Sequence, residues 1–375
     1  MLYDLVQCPH RVSRDLFDDP GDRDPVNAFV ELLWKRGNAF EAEVMASSEV
    51  PFLDLKDLPT ADKEQQTLDA MARNEPLIYG GRIVAGDLLG EPDLLRFADG
   101  AYIAGDIKSG AGEEGASEDK DGKPKKHYAV QLALYIDVLE QIGRSAGRRA
   151  FVWDIHGEEI EYDLTSARGP RTPQTMWEEY EDARDQVRRI VAQQTGTLPA
   201  YGSGTCKLCH WYSSCLRQLE ASDDLSLLSE VGRAKRDAML DHVQNRHDMA
   251  AADISTLPKM PGIGAKSIQK FHDRAVLCTT PNAQPYLREP VALPDRHVEL
   301  FFDVETDPMR DICYLHGFVV RAGGDCDAER FEAFFSDDCS EASERQAFAN
   351  AWEFVGDCQP CAVYYYSPYE RTTWR

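Results

Sequence analysis

Residues 90–110 read GEPDLLRFADGAYIAGDIKSG, an apolar stretch with Asp93 near one end and Asp106 and Lys108 two residues apart at the other. Side chains two apart on a strand share a face, so Asp106 and Lys108 project together. A turn at Asp99-Gly100 would fold Asp93 back beside them. Two carboxylates desolvated on one sheet face repel each other unless a cation lies between them. The stretch therefore predicts a β-hairpin with a metal ion on one face. The plain alternative is a surface hairpin with a salt bridge, since D-x-K alone is common.

Magnesium takes hard oxygen ligands and keeps several waters, so two carboxylates and a carbonyl suffice. Asp93, Asp106 and the Ile107 carbonyl would hold the ion. Lys108 would position or deprotonate the attacking water and offset charge on a scissile phosphate. Downstream, 127–143 reads as a helix on which Gln131 and Tyr135, four apart, share a face. Upstream, 26–46 reads as a helix in which Glu41 follows Gly37 and is able to bring a carboxylate toward the sheet. The bland readings are that Glu41 is solvated and Tyr135 is core. Further helices are expected over 61–74 and 173–194, strands within 77–90, and a hairpin turning at His156-Gly157. Residues 110–126 read as a polar, glycine-rich mobile loop.

The bulk numbers bound the function. The chain has 375 residues and 43% hydrophobic content, enough for two or three domains. Its formal net charge of −24 argues against non-specific attraction to nucleic acid, although a local basic groove survives such a balance. The first residues show no long apolar signal segment, and no stretch has the length of a membrane span. A cytoplasmic protein is expected.

The ordered set GEPDLL, GDIK and QLALY resembles the RecB-like branch of the PD-(D/E)XK nucleases over about the first 215 residues. The resemblance implies an α/β fold with a restriction-endonuclease-like core. It makes Asp93, Asp106 and Lys108 the signature residues and gives Gln131 and Tyr135 a supporting role toward the site and the DNA. The cofactor it implies is Mg2+ or Mn2+. Many relatives place a histidine metal ligand four residues after the helix glycine, where this chain has Glu41; a carboxylate there also ligates magnesium or manganese.

Ten cysteines are too irregularly spaced for a secreted disulfide framework. Cys206, Cys209 and Cys215 form C-x2-C-x5-C, and Cys8 stands alone near the start. Such compact spacing in a cytosolic chain usually holds a metal or cluster. A zinc site of Cys206, Cys209, His210 and Cys215 is one reading and leaves Cys8 unused; free cysteines are the bland one. One early cysteine with this later triad looks like the iron–sulfur subgroup of the same nucleases. That resemblance implies a [4Fe–4S] cluster on Cys8, Cys206, Cys209 and Cys215, clasping the chain's start to the end of the nuclease domain. Cys358 and Cys361 precede the strand-like AVYYY and read as core.

Residues 221–285 read as a helical module. Its Gly262-Ile263-Gly264 opens a helix carrying Lys266 and Lys270, and backbone N–H groups at such a start suit a phosphate. The segment resembles a helix-hairpin-helix, a sequence-independent binder of the DNA backbone; the alternative is a glycine turn between packed helices. In 292–375, Asp303 and Glu305 share a strand face, a second candidate metal site. The strand order resembles an RNase H-like fold and D-x-E the first motif of DEDD exonucleases, with Glu370 near the second. The sequence stops before a third acidic motif, so this domain reads as incomplete. With 1–220 as the nuclease domain, the whole predicts a metal-dependent deoxyribonuclease, an exonuclease on DNA ends or single strands in repair or recombination. A helicase in the same or a partner chain is a further expectation. The rivals are a non-catalytic nucleic-acid-binding scaffold with zinc at the cysteines and an iron–sulfur redox protein.

Overall fold

Asp99 and Gly100 both hold positive φ, 55° and 83°, the conformation that lets a two-residue turn follow the twist of its flanking strands. The strands they join, Leu94–Ala98 and Ala101–Ile107, pair antiparallel from Leu94 opposite Gly105 to Ala98 opposite Ala101. This hairpin is the centre of a six-stranded mixed sheet. On one side lie Leu77–Tyr79, antiparallel to the hairpin, and then Leu53–Asp54, parallel to its neighbour. On the other side Arg149–Trp153 runs parallel to residues 105–107, and Glu159–Asp163 closes the edge antiparallel. Each parallel join requires a crossover. The helices Thr60–Ala72 and Lys126–Gln141 lie in those crossovers. The structure is a computed structural model describing all residues except 116–121, 171, 308–309, 311, 339 and 375.

Both sheet faces are covered. The helix Lys126–Gln141 buries Ala129, Val130, Leu132, Ala133 and Ile136 completely, in one core with Leu5, Tyr102, Tyr162 and Tyr180. Met45, Leu77, Leu94, Ile107 and Phe151 form a second core that includes the end of the helix Ala28–Ala46. Gly105 is required where the sheet is tightest, because a Cβ there would stand 2.4 Å from the Phe151 ring. The expected helices appear with ends moved by at most three residues, 173–194 shortening to Met176–Val191 behind a Thr175–Glu178 capping box. The apolar segment 77–90 forms three short strands, broken at Gly80 (φ 67°), where a Cβ would lie 2.7 Å from the Lys56 Cα. Of the expected loop at 110–126, Glu113–Glu114 pairs with Lys123–Pro124, and 116–121 lie outside the described residues.

The chain divides into the units Met1–Pro285 and Tyr286–Arg375. The helices Gly232–Met239, Arg246–Ala251 and Ala265–Thr279 lie in the first and have their own core around Met239, Met249 and Phe271. In the second unit a four-stranded sheet orders Arg330–Phe335, Ile312–Ala322, Val298–Asp307 and Cys361–Tyr365, the last pair parallel and the others antiparallel. Cys358 and Cys361 pack half-buried against its core. No helix among the described residues is long and apolar enough to cross a membrane.

Candidate active site

The hairpin register sets Asp93 opposite Asp106. The Asp93 N–H points at Asp106 Oδ1 (3.4 Å), and the Ile107 N–H donates to Asp93 Oδ2 (2.9 Å). Asp106 is 1% exposed. Its Oδ2 forms a 2.9 Å ion pair with the Lys108 ammonium and has no other partner among the described residues. Burial and then the Asp106 charge push the Asp93 carboxyl well above the usual range, against an opposing pull from Lys108. Burial alone would lower Lys108, but Asp106 and Asp93 together raise it, so it stays an ammonium. A close, desolvated carboxylate pair with a single ammonium beside it fits a divalent cation.

Two helices complete the site. A Cβ at Gly37 would meet Ser109 Oγ at 3.7 Å, so the helix Ala28–Ala46 runs beside the end of the D-x-K strand and carries Glu41 inward. Glu41 is 8% exposed, and its Oε1 lies 2.5 Å from Lys56 Nζ. Its charge helps to raise Asp93, which places it in the same cluster. On the crossover helix the Gln131 side-chain amide donates to the Tyr135 hydroxyl (2.7 Å), which stands 3.5 Å from the Glu91 carbonyl. Tyr135 is buried, and burial followed by the Asp106 and Asp93 charges pushes its phenol far up. Gly90 makes room for it, since a Cβ there would come within 2.6 Å of the tyrosine ring.

Three residues at the site carried no sequence signal. Lys56 and Tyr79 arrive through the pairing of 53–54 with 78–79, and Tyr128 stands under the Lys108 ammonium, 5.6 Å from its ring centre. Among the described residues, no three Cys, His, Asp or Glu side chains converge as a ready ion site. In the sheet cluster the geometry supplies a reason: Glu41 is turned to Lys56 and Asp106 to Lys108.

All four candidate cluster cysteines line one small cavity. Each sulfur accepts an N–H: Cys8 from Arg233 (3.2 Å), Cys206 from the Gly202 backbone (3.3 Å), Cys209 from the Trp211 backbone (3.4 Å) and Cys215 from Arg14 (3.4 Å). Burial pushes the Cys206 and Cys215 thiols up and that of Cys209 up to about 11. The four thiols line the cavity without converging as a ready ion site, and His210, the histidine of the zinc reading, is engaged by Asp15 Oδ1 at 2.6 Å from its Nε2.

Elsewhere, Gly262 has φ 72°, while Gly264 caps the helix Ala265–Thr279 in an extended conformation; a Cβ on either would meet open space. Lys266 stands in that helix's first turn, and Lys270 pairs with Glu230 (3.0 Å). Asp303 and Glu305 are exposed on the same face of their strand. Glu370 does not join them as an acid free to bind metal, because its carboxylate accepts from the Ser367 N–H (3.1 Å) and hydroxyl (2.9 Å) in a capping box.

Residues 10–216 match the family model described as the PD-(D/E)XK nuclease superfamily. No curated protein matches the chain.

Proposed function

The chain belongs to the PD-(D/E)XK nuclease superfamily, and from that premise we propose that it is a deoxyribonuclease dependent on Mg2+ or Mn2+, acting on DNA ends or single strands in repair or recombination. The observation that carries the reading is the buried carboxylate of Asp106 set beside Asp93, with its Oδ2 held 2.9 Å from the Lys108 ammonium. Asp93, Asp106 and Glu41 would hold the ion, with the Ile107 carbonyl as a fourth ligand. When bound, the ion would acidify a water and neutralise charge on the phosphodiester. Lys108 remains protonated and is suited to orient that water and to stabilise the extra phosphate charge in the transition state. Tyr135 and Gln131 would hold the Glu91–Asp93 segment in place through the Glu91 carbonyl.

The four cysteines support a [4Fe–4S] clasp of the RecB-like subtype, with thiolate charge balanced by N–H donors. Gly262, Gly264 and Lys266 are proposed to bind DNA backbone as a helix-hairpin-helix. The second unit's strand order supports an RNase H-like reading for Asp303 and Glu305, and a helicase remains the proposed partner.

The test is cleavage of end-labelled single- and double-stranded DNA with magnesium or manganese. Lys108→Ala should bind metal yet lose cleavage by about a hundredfold or more, the scale of a lost electrostatic stabiliser. Undiminished cleavage by that variant would refute the site. Cleavage lost only on Asp303→Ala would move the chemistry to the second unit.

A further inference from the structure

We propose that Lys56 is a positioning residue that competes with the divalent ion for Glu41, holding this carboxylate in the metal-free protein and yielding it when the ion binds. The inference rests on the metal-dependent nuclease reading and adds a residue outside the D-x-K signature.

Lys56 is built into the site rather than left on the surface. Its backbone N–H donates to Asp54 Oδ1 (2.9 Å), and its carbonyl accepts from Lys63 Nζ (2.7 Å). The preceding Leu55 N–H donates to the Tyr79 carbonyl (2.9 Å), and Gly80 lacks the side chain that would strike the Lys56 backbone. The ammonium then reaches Glu41 Oε1 at 2.5 Å and lies 5.6 Å from the Tyr79 ring centre. An ion pair between two exposed side chains contributes little. Here one partner is almost fully buried among like charges, and an unpaired buried carboxylate is strongly unfavourable.

The cluster thus contains three carboxylates, Glu41, Asp93 and Asp106, and two ammoniums, Lys56 and Lys108. Lys108 is held by a short side-chain reach to Asp106 on its own strand. Lys56 differs because its side chain is 39% exposed at the edge of an open cleft of about 550 Å3 lined by Asn38, Glu41, Phe52, Asp54 and Tyr79. The cleft gives the ammonium room to leave Glu41 without being buried elsewhere. An ion that takes Glu41 as ligand competes with the ammonium for the carboxylate's charge, so the lysine weakens metal binding, and by reciprocity metal binding weakens the lysine's hold on Glu41. The consequence is a site that is charge-compensated and folded before the ion arrives.

The experiment is a calorimetric Mn2+ titration of the full chain, with melting in chelator as the second readout. Lys56→Met should bind Mn2+ about tenfold tighter, the scale on which one nearby cation acts at a partly exposed site, and should melt lower than wild type in chelator. Lys56→Arg keeps a cation and should return both values toward wild type, which a packing role for the aliphatic stem would not require. If Lys56→Met does not fold, Lys56→Gln, which still donates to Glu41 without a charge, takes its place with the same expected tightening. Unchanged or weaker Mn2+ binding in the folded variant overturns the role of Lys56. The underlying metal reading is checked separately, by wild-type binding that Asp106→Asn abolishes; a wild-type chain that binds no Mn2+ overturns both.

Discussion

Asp93→Asn should make the metal-free protein more stable while removing its metal dependence. The change is isosteric, and an asparagine oxygen still accepts the Ile107 N–H that Asp93 Oδ2 now takes at 2.9 Å. What disappears is a carboxylate disfavoured by burial and by Asp106. Each unit of an upward carboxyl shift corresponds to about 1.4 kcal/mol of unfavourable charge. Lys108 offsets part of this, and the open edge of the site screens more, so a gain of about 1–2 kcal/mol is reasonable. For a unit of this size that is a rise of about 2–5 °C in Tm. The assay is thermal melting in chelator and again with saturating Mn2+. Wild type should gain stability from the ion, the variant should gain little, and the two curves should cross. A variant that melts lower than wild type in chelator, or gains equally from Mn2+, refutes the carboxylate-pair argument. Because most substitutions destabilise, a gain here would mark the site as strained for function.

Other consequences follow from contacts around the two candidate centres. Asp137, 7% exposed, accepts from Tyr180 (2.5 Å), Gln141 (2.9 Å) and Arg184 (3.0 Å). Burial would raise its carboxyl, but these donors lower it overall, so its contribution is present above the unfolded value of 3.8 and lost as pH falls through the lower folded one. Asp137→Ala should therefore cost about 2–4 kcal/mol in chemical denaturation at neutral pH and much less in strong acid, with an equal loss at both refuting the charge account. Protein purified without air should contain about four irons per chain, as a cubane on four thiolates requires. Cys8→Ser should lose that iron, and stoichiometric zinc unaffected by the change would favour the zinc reading. Gly264→Leu should weaken DNA binding in a salt titration with the melting curve unchanged, because its Cβ meets open space in an ordinary backbone conformation; Gly262, at φ 72°, is the poorer probe because substitution there strains the chain.

The features legible in the sequence are those whose geometry is local. The Asp99-Gly100 turn fixes the register, and the register alone brings Asp93 to Asp106. Gln131 and Tyr135 meet because four residues make one helical turn. Lys56 was hidden, because it approaches Glu41 through a parallel pairing that the helix Thr60–Ala72 separates in the chain. Charge pattern offers no hint of such a contact. Gly90 was equally silent, as its purpose is to accommodate a tyrosine ring from a helix that starts 36 residues later, at Lys126. The capping role of Glu370 is hard to read, because a cap and a metal ligand both call for a carboxylate, and the adjacent Ser367-Pro368 is the local sign of the cap.

Arg233 has an implication for where this nuclease can be cut. It lies beyond residue 216, the last that the family match covers, yet it donates to the Cys8 sulfur and to the Leu198 carbonyl (2.8 Å). Three residues on, the buried Arg236 donates to the Pro199 carbonyl (2.8 Å). The helix Gly232–Met239 therefore acts as a strap across the seam that joins the chain's two distant cysteine segments. A shortened protein ending with the recognised domain would keep Glu41, Asp93, Asp106 and the four candidate cluster thiols yet lose that strap. The compact unit to which the site belongs runs on through the helical region to Pro285, so transplanting the nuclease into another chain should carry that region along.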